Sequence, residues 1–190
     1  MNQFVIEDLI VENADRSLVD SVNLSVEKGE ILAITGQSGS GKTLTFKGAT
    51  GLLTSEQLTV DGRVRWNGEY YSPSEMKAFL GKEISYVMQN PMTAFNPVIT
   101  IGSHCRETLR EHLKVSKKEA DKIAIDWFYK LNLKDAKRVY KSYCYELSGG
   151  MLQRVMLALA MAVGSKMIVA DEPTTALDTI THSVRIHKNQ

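Results

Sequence analysis

Cysteine is scarce: only Cys105 and Cys144 occur, far apart in the chain. That excludes a disulfide framework and suits a reducing compartment. Long apolar runs are also missing. The longest, residues 155–163, has nine residues, whereas a bilayer-spanning helix needs about 20. The opening segment MNQFVIEDLIVEN carries acidic residues where a secretory signal needs an unbroken apolar stretch. The expected setting is therefore the cytosol, or a membrane reached through another subunit. A surplus of either charge is absent too. The formal net charge of +1 points to no acidic partner and lacks the basic excess of a nucleic-acid binder. No internal repeat and no low-complexity segment is present.

What remains is an ordinary globular mixture, 43% hydrophobic and 24% charged, over 190 residues. That argues against disorder and suits one domain. Residues 4–11 and 18–26 interleave apolar with polar side chains and predict strands. Residues 31–35 (ILAIT), 84–88 and 167–170 are short apolar runs of the kind found in strands buried on both faces. A helix is predicted over 42–51, a hairpin-like region over 59–71 with Asp61-Gly62 and Asn67-Gly68 as turn dipeptides, and a short helix near 74–80. Residues 101–140 are helical in pattern, with Ser116 and Glu119 forming a capping-box signature. A further helix is predicted over 150–163. The expected organisation is α/β with a helical insertion.

Three groups of residues carry chemistry. Gly36, Gln37, Ser38, Gly39, Ser40, Gly41, Lys42 and Thr43 fit G-x-x-x-x-G-K-[ST] at each fixed position, between a predicted strand and a predicted helix. Glycines let the main chain wrap around phosphate, so that loop amides and a helix start face the anion. Lys42 then supplies a charge to the β- and γ-phosphates, and the Thr43 hydroxyl a ligand for Mg²⁺. Second, residues 167–170 lead into Asp171 and Glu172. An acid at a strand tip holds Mg²⁺ through water, and its neighbour polarises an attacking water. Third, Ser148, Gly149 and Gly150, within Leu147-Ser148-Gly149-Gly150-Met151-Leu152-Gln153-Arg154, form an anion site at a helix start.

The third group resembles the signature sequence of ABC ATPases, and Gln89 and Asp178 match the Q-loop glutamine and the D-loop aspartate of that family. The resemblance runs in family order from Gly36 to Asp178, and covers the chain up to about residue 181. It implies a RecA-like P-loop NTPase core, an N-terminal antiparallel β subdomain and an inserted α-helical subdomain, incomplete at the C-terminus. All 190 residues would be a single ABC ATPase domain, with 1–90 and 150–190 as α/β core and about 91–149 as the helical subdomain with its signature. It implies ATP and Mg²⁺ as ligands, with Glu172 as general base, Lys42 and Gln89 as catalytic partners, and Thr43, Gln89 and Asp171 at the metal. Ser148, Gly149, Gly150 and Asp178 would face nucleotide across a dimer.

The run Gln89-Asn90-Pro91-Met92-Thr93-Ala94-Phe95-Asn96-Pro97 resembles the peptide and nickel importer branch, closest to nickel or metal-chelate members. The branch implies a second ABC ATPase subunit, the same or different, two transmembrane permease subunits, an extracytoplasmic binding protein acting indirectly, and no nucleic acid. It places the chain on the cytoplasmic face of the cell membrane. Phe95 is expected either to line a groove for a coupling helix or to sit in the core. Some features depart from the pattern. Neither His182 nor His187 is placed to act as the switch histidine, and the polar end of the chain reads as a fragment end, a frameshift or a truncated product with poor turnover alone. Residues 13–17 offer no aromatic for adenine, so weak base selectivity is expected. His104, Cys105 and His112 fit no standard ligand spacing. Two other readings remain beside the transport ATPase: a soluble ABC protein acting on DNA or ribosomes, and a nucleotide-binding remnant without turnover.

Overall fold

The computed structural model describes residues 2–53, 55 and 57–171. The chain divides between Leu80 and Gly81 into two units.

In the first unit, β1 (Asn2–Glu12), β2 (Ser17–Glu27), β3 (Thr59–Trp66) and β4 (Glu69–Tyr71) form one antiparallel sheet in the order β2-β1-β3-β4. Alternation puts Phe4, Ile6, Leu9, Val11, Val64 and Trp66 inside, where Phe4 meets Trp66 edge-on at 6.2 Å. The Asn67-Gly68 dipeptide makes the β3–β4 turn with φ of 52° and 97°, as its sequence predicts. Asp61-Gly62 does not turn the chain. It lies inside β3, opposite an irregularity in β1 between Glu7 and Ile10. Helix α1 (Lys42–Ala49) packs on this sheet, with Gly48 facing Val11 and Val60.

The run 31–35 departs from expectation. It joins neither sheet, and Ile31, Leu32 and Ile34 are 58%, 41% and 39% exposed. Apolar content favours a strand, but a strand exists only when a partner supplies the hydrogen-bond ladder, and no described strand does so here.

In the second unit, β5 (Ile84–Val87) and β6 (Met167–Ala170) pair in parallel, an arrangement that requires the long crossover between them. The crossover holds α2 (Ile101–Leu113), α3 (Lys117–Lys130), α4 (Ala136–Lys141) and α5 (Gly149–Ala162). Leu109, Phe128, Val139, Leu152 and Val155 are among the side chains of their shared core. Ser116 caps α3 in the predicted box: the Glu119 N–H donates to Ser116 Oγ at 3.3 Å, and the Ser116 N–H to Glu119 Oε2 at 2.9 Å. Phe95 belongs to this core, with its ring edge-on to His104 at 5.3 Å. Among the described residues no helix is long and apolar enough to cross a membrane.

Candidate functional site

The loop from Gly36 to Thr43 is built as its composition requires. Gly39 and Gly41 have φ of 83° and 87°, values that favour glycine. Space demands Gly41 as well: a Cβ there would lie 3.1 Å from the Leu18 carbonyl oxygen and 3.2 Å from Val19 Cγ2. Gly41 is also the N-cap of α1 and brings no capping side chain; no acidic residue lies in the first turn. The helix dipole therefore meets no negative side chain of its own first turn. Lys42 Nζ folds back and donates to the carbonyl oxygens of Gly36 and Gln37, both at 2.8 Å, with Ser40 Oγ at 3.5 Å. The Ser40 N–H donates to the Gln37 carbonyl at 3.2 Å. The loop thus holds an ammonium by its own main chain while remaining exposed. Chemically it is a cation-bearing loop at a helix start, suited to a polyanion.

In the second unit, one amide and one acid, Gln89 and Asp171, follow the two strands. Gln89 follows β5 and is exposed. Asp171 follows β6, and its N–H donates to the Val87 carbonyl at 3.0 Å, extending the ladder. Its carboxylate Oδ2 accepts from the Tyr86 hydroxyl at 2.9 Å. Burial of the phenol, first, and then the Asp171 bond push Tyr86 well above its ordinary value. Sequence reading did not find Tyr86; the only signal was a phenol inside a mostly apolar run.

Ser148 is the N-cap of α5, its Oγ accepting from the Met151 N–H at 3.3 Å. It therefore performs an ordinary capping role at the same place where the signature resemblance puts an anion site. Ser148 and Gly149 are exposed, and no acidic residue lies in the first turn. Glu172 and Asp178 lie outside the described residues, as do His182 and His187.

Beyond these, Asn90 and Asn96 shape the segment after Gln89. Asn90 Oδ1 accepts from the Met92 N–H at 3.2 Å, and Asn96 Oδ1 from the Val98 N–H at 3.1 Å. Within the second unit, Gln89 and Asp171 both offer oxygen donors. Among the described residues no group of three His, Cys, Asp or Glu gathers to hold an ion. That combination fits magnesium, which is commonly held by one or two carboxylates together with substrate phosphates.

The chain is 48% identical over 170 residues to a metal-staphylopine import system ATP-binding protein of Staphylococcus aureus, covering 88% of this chain and 62% of that one. It is 39% identical over 171 residues to a nickel import ATP-binding protein of Brucella abortus, covering 90% and 64%. It thus spans somewhat under two thirds of the length of these relatives. Among solved structures, a dimeric ATP-binding cassette in a post-hydrolysis state, bound to ADP and Pi, superposes with a TM-score of 0.76 at 23% identity, covering 96% of this chain and 80% of that one. At that identity the likeness establishes the fold, an ABC ATPase cassette. Residues 19–175 match the ABC transporter family; with so much of the chain inside the match, the protein belongs to the ABC transporter family.

Proposed function

We propose that this chain is an ATP-binding subunit of an ABC importer, coupling binding and hydrolysis of ATP to uptake of a metal chelate or nickel. The observation that carries the reading is the phosphate loop, with two left-handed glycines and Lys42 Nζ tethered to the Gly36 and Gln37 carbonyls at the start of α1. Loop amides and Nζ bind the phosphates, and Thr43, Asp171 and Gln89 would hold magnesium. That ion, when bound, neutralises charge on the β- and γ-phosphate oxygens. Glu172 takes the proton of the attacking water. Ser148, Gly149, Gly150 and Asp178 act on the nucleotide of a second ATPase subunit, so turnover requires a dimer. Two permease subunits and an extracytoplasmic binding protein complete the system, and the chain works on the cytoplasmic face of the membrane. The relatives named above support a metal-chelate cargo; an oligopeptide cargo is the second reading, because the cargo never meets this subunit.

The test is nucleotide binding. A fluorescent ATP analogue titrated into the full chain should bind with wild type, and Lys42→Ala should weaken it about 10- to 100-fold, since hydrogen bonds to charged groups contribute about 1.5–3 kcal/mol. Equal affinity in the two proteins would refute the assignment of the loop.

A further inference from the structure

We propose that the exposed face of α4, with Tyr145 just beyond its end, docks on the anionic headgroups of a membrane. This rests on the reading above that places the chain at a membrane face. The whole chain is nearly balanced, with 23 basic and 22 acidic residues, and that balance conceals a local concentration. Between Lys134 and Tyr145 stand Lys134, Lys137, Arg138 and Lys141, against one acid, Asp135. Helix periodicity sorts α4 into two sides. Ala136, Val139 and Tyr140 are buried, whereas Lys137, Arg138 and Lys141 are exposed, as is Lys134 before the helix. Asp135 is occupied locally. Its Oδ1 caps α4 by accepting the Arg138 N–H at 3.2 Å, and its Oδ2 lies 3.5 Å from Arg138 Nε. Among the described residues Lys134, Lys137 and Lys141 enter no ion pair. A helix of this length spans about 9 Å, close to the roughly 8 Å over which physiological salt screens a charge. Its cations therefore act together on an apposed surface.

Tyr145 is the second element. It is 62% exposed, and its ring lies parallel to that of Tyr143, with planes 7° apart and centroids 5.5 Å apart. Stacking rather than burial thus sets its pose. The chain beneath is anchored: Cys144 is buried, and the Ser142 carbonyl accepts the Ile101 N–H at 2.9 Å. Four residues separate Tyr145 from Lys141, at most about 14 Å of chain, so ring and ammonium groups can serve one contact. A phenol with an apolar body and a hydroxyl tip suits the headgroup level of a bilayer. Lysines clustered on an amphipathic helix are drawn to anionic lipid at that level. Nucleic acid is a poorer match, because about 9 Å of helix meets only about three phosphates of one strand.

The experiment is sedimentation of the full chain with vesicles of phosphatidylcholine alone, or mixed with phosphatidylglycerol, at low and at high salt. Wild type should bind the mixed vesicles, increasingly with phosphatidylglycerol content, and salt should release it. Each lysine near the surface contributes a factor of roughly five. Lys137→Gln combined with Lys141→Gln should therefore weaken partitioning roughly 25-fold. Lys28→Gln combined with Lys77→Gln removes the same charge from the first unit and should leave partitioning near wild type. Tyr145→Trp should show a blue shift in emission on mixed vesicles and none on phosphatidylcholine alone. No binding to mixed vesicles, an equal loss in both lysine pairs, or an unmoved emission from Tyr145→Trp would overturn the proposal. Tighter binding to polyuridylic acid than to vesicles would overturn the choice of lipid. Nucleotide affinity, measured on the same proteins, should be unchanged in the Lys137 and Lys141 variants and reports an intact fold. Wild type that binds the ATP analogue but no vesicle overturns the docking surface alone; wild type that binds vesicles but no nucleotide overturns the ATPase reading instead.

Discussion

Gly102, in the first turn of α2, lies against the Tyr140 ring of α4. A Cβ at Gly102 would fall 2.3, 2.5 and 2.6 Å from three atoms of that ring, where carbon atoms prefer about 3.5–4.0 Å. More than an ångström of movement is needed, and the ring is held. Its hydroxyl donates to Asp121 Oδ1 at 2.5 Å, Phe128 packs at 6.4 Å between centroids, and the Arg106 guanidinium sits 6.0 Å from its centre. The start of α2 is also fixed, since the Ile101 N–H donates to the Ser142 carbonyl at 2.9 Å. Gly102→Ala should therefore either overpack, costing about 1–3 kcal/mol, or displace the phenol from a charged acceptor at about 1.5–3 kcal/mol. Alanine returns about 1 kcal/mol of helix propensity. The expected net loss is about 1 kcal/mol, a fall in midpoint of about 2–4 °C in thermal unfolding for a chain of this size. The same change in a Tyr140→Leu background meets no ring and should cost little or even stabilise. A variant as stable as wild type, or an equal loss in both backgrounds, would refute the packing argument.

Asp121 gives a pH test. The Arg106 bonds at 2.6 and 3.2 Å, ahead of the Tyr140 bond, hold its carboxyl below the ordinary value. Stability from this group is then fully present above the unfolded value of about 3.9 and is lost as pH falls through the lower folded value. Thermal midpoints of wild type and Asp121→Asn should converge below about pH 4; a gap that stays constant down to strong acid would contradict the linkage. Ser148→Ala removes the N-cap of α5 and should cost about 1 kcal/mol in urea unfolding, with Ser148→Asp retaining most of it. No change with alanine would mean that the capping bond contributes nothing in solution.

The parts of this protein that could be read from sequence are those whose geometry is settled by neighbours along the chain. The phosphate loop needs glycine at its left-handed positions and lysine at the helix start, all within eight consecutive residues. The Ser116 box and the Asn67-Gly68 turn are likewise local. The run 31–35 was misread because strand formation depends on a remote partner. Asp61-Gly62 has the composition of a turn, yet β1 pairs across it and keeps the chain extended. The bond from Tyr86 to Asp171 spans 85 positions in sequence, and no periodicity announces it.

His104 and Cys105 show the same division within two adjacent residues. Side by side in sequence, they fit no standard ligand spacing, and on a helix neighbours point about 100° apart. Cys105 enters the core, where burial pushes its thiol up to about 12 and leaves it unreactive. His104 instead turns toward the loop after Gln89, where Nε2 accepts the Asn96 N–H at 2.8 Å beside the Phe95 ring. Its ring nitrogen is engaged by the Asn96 backbone, so helix periodicity and local hydrogen bonding together account for where both residues sit.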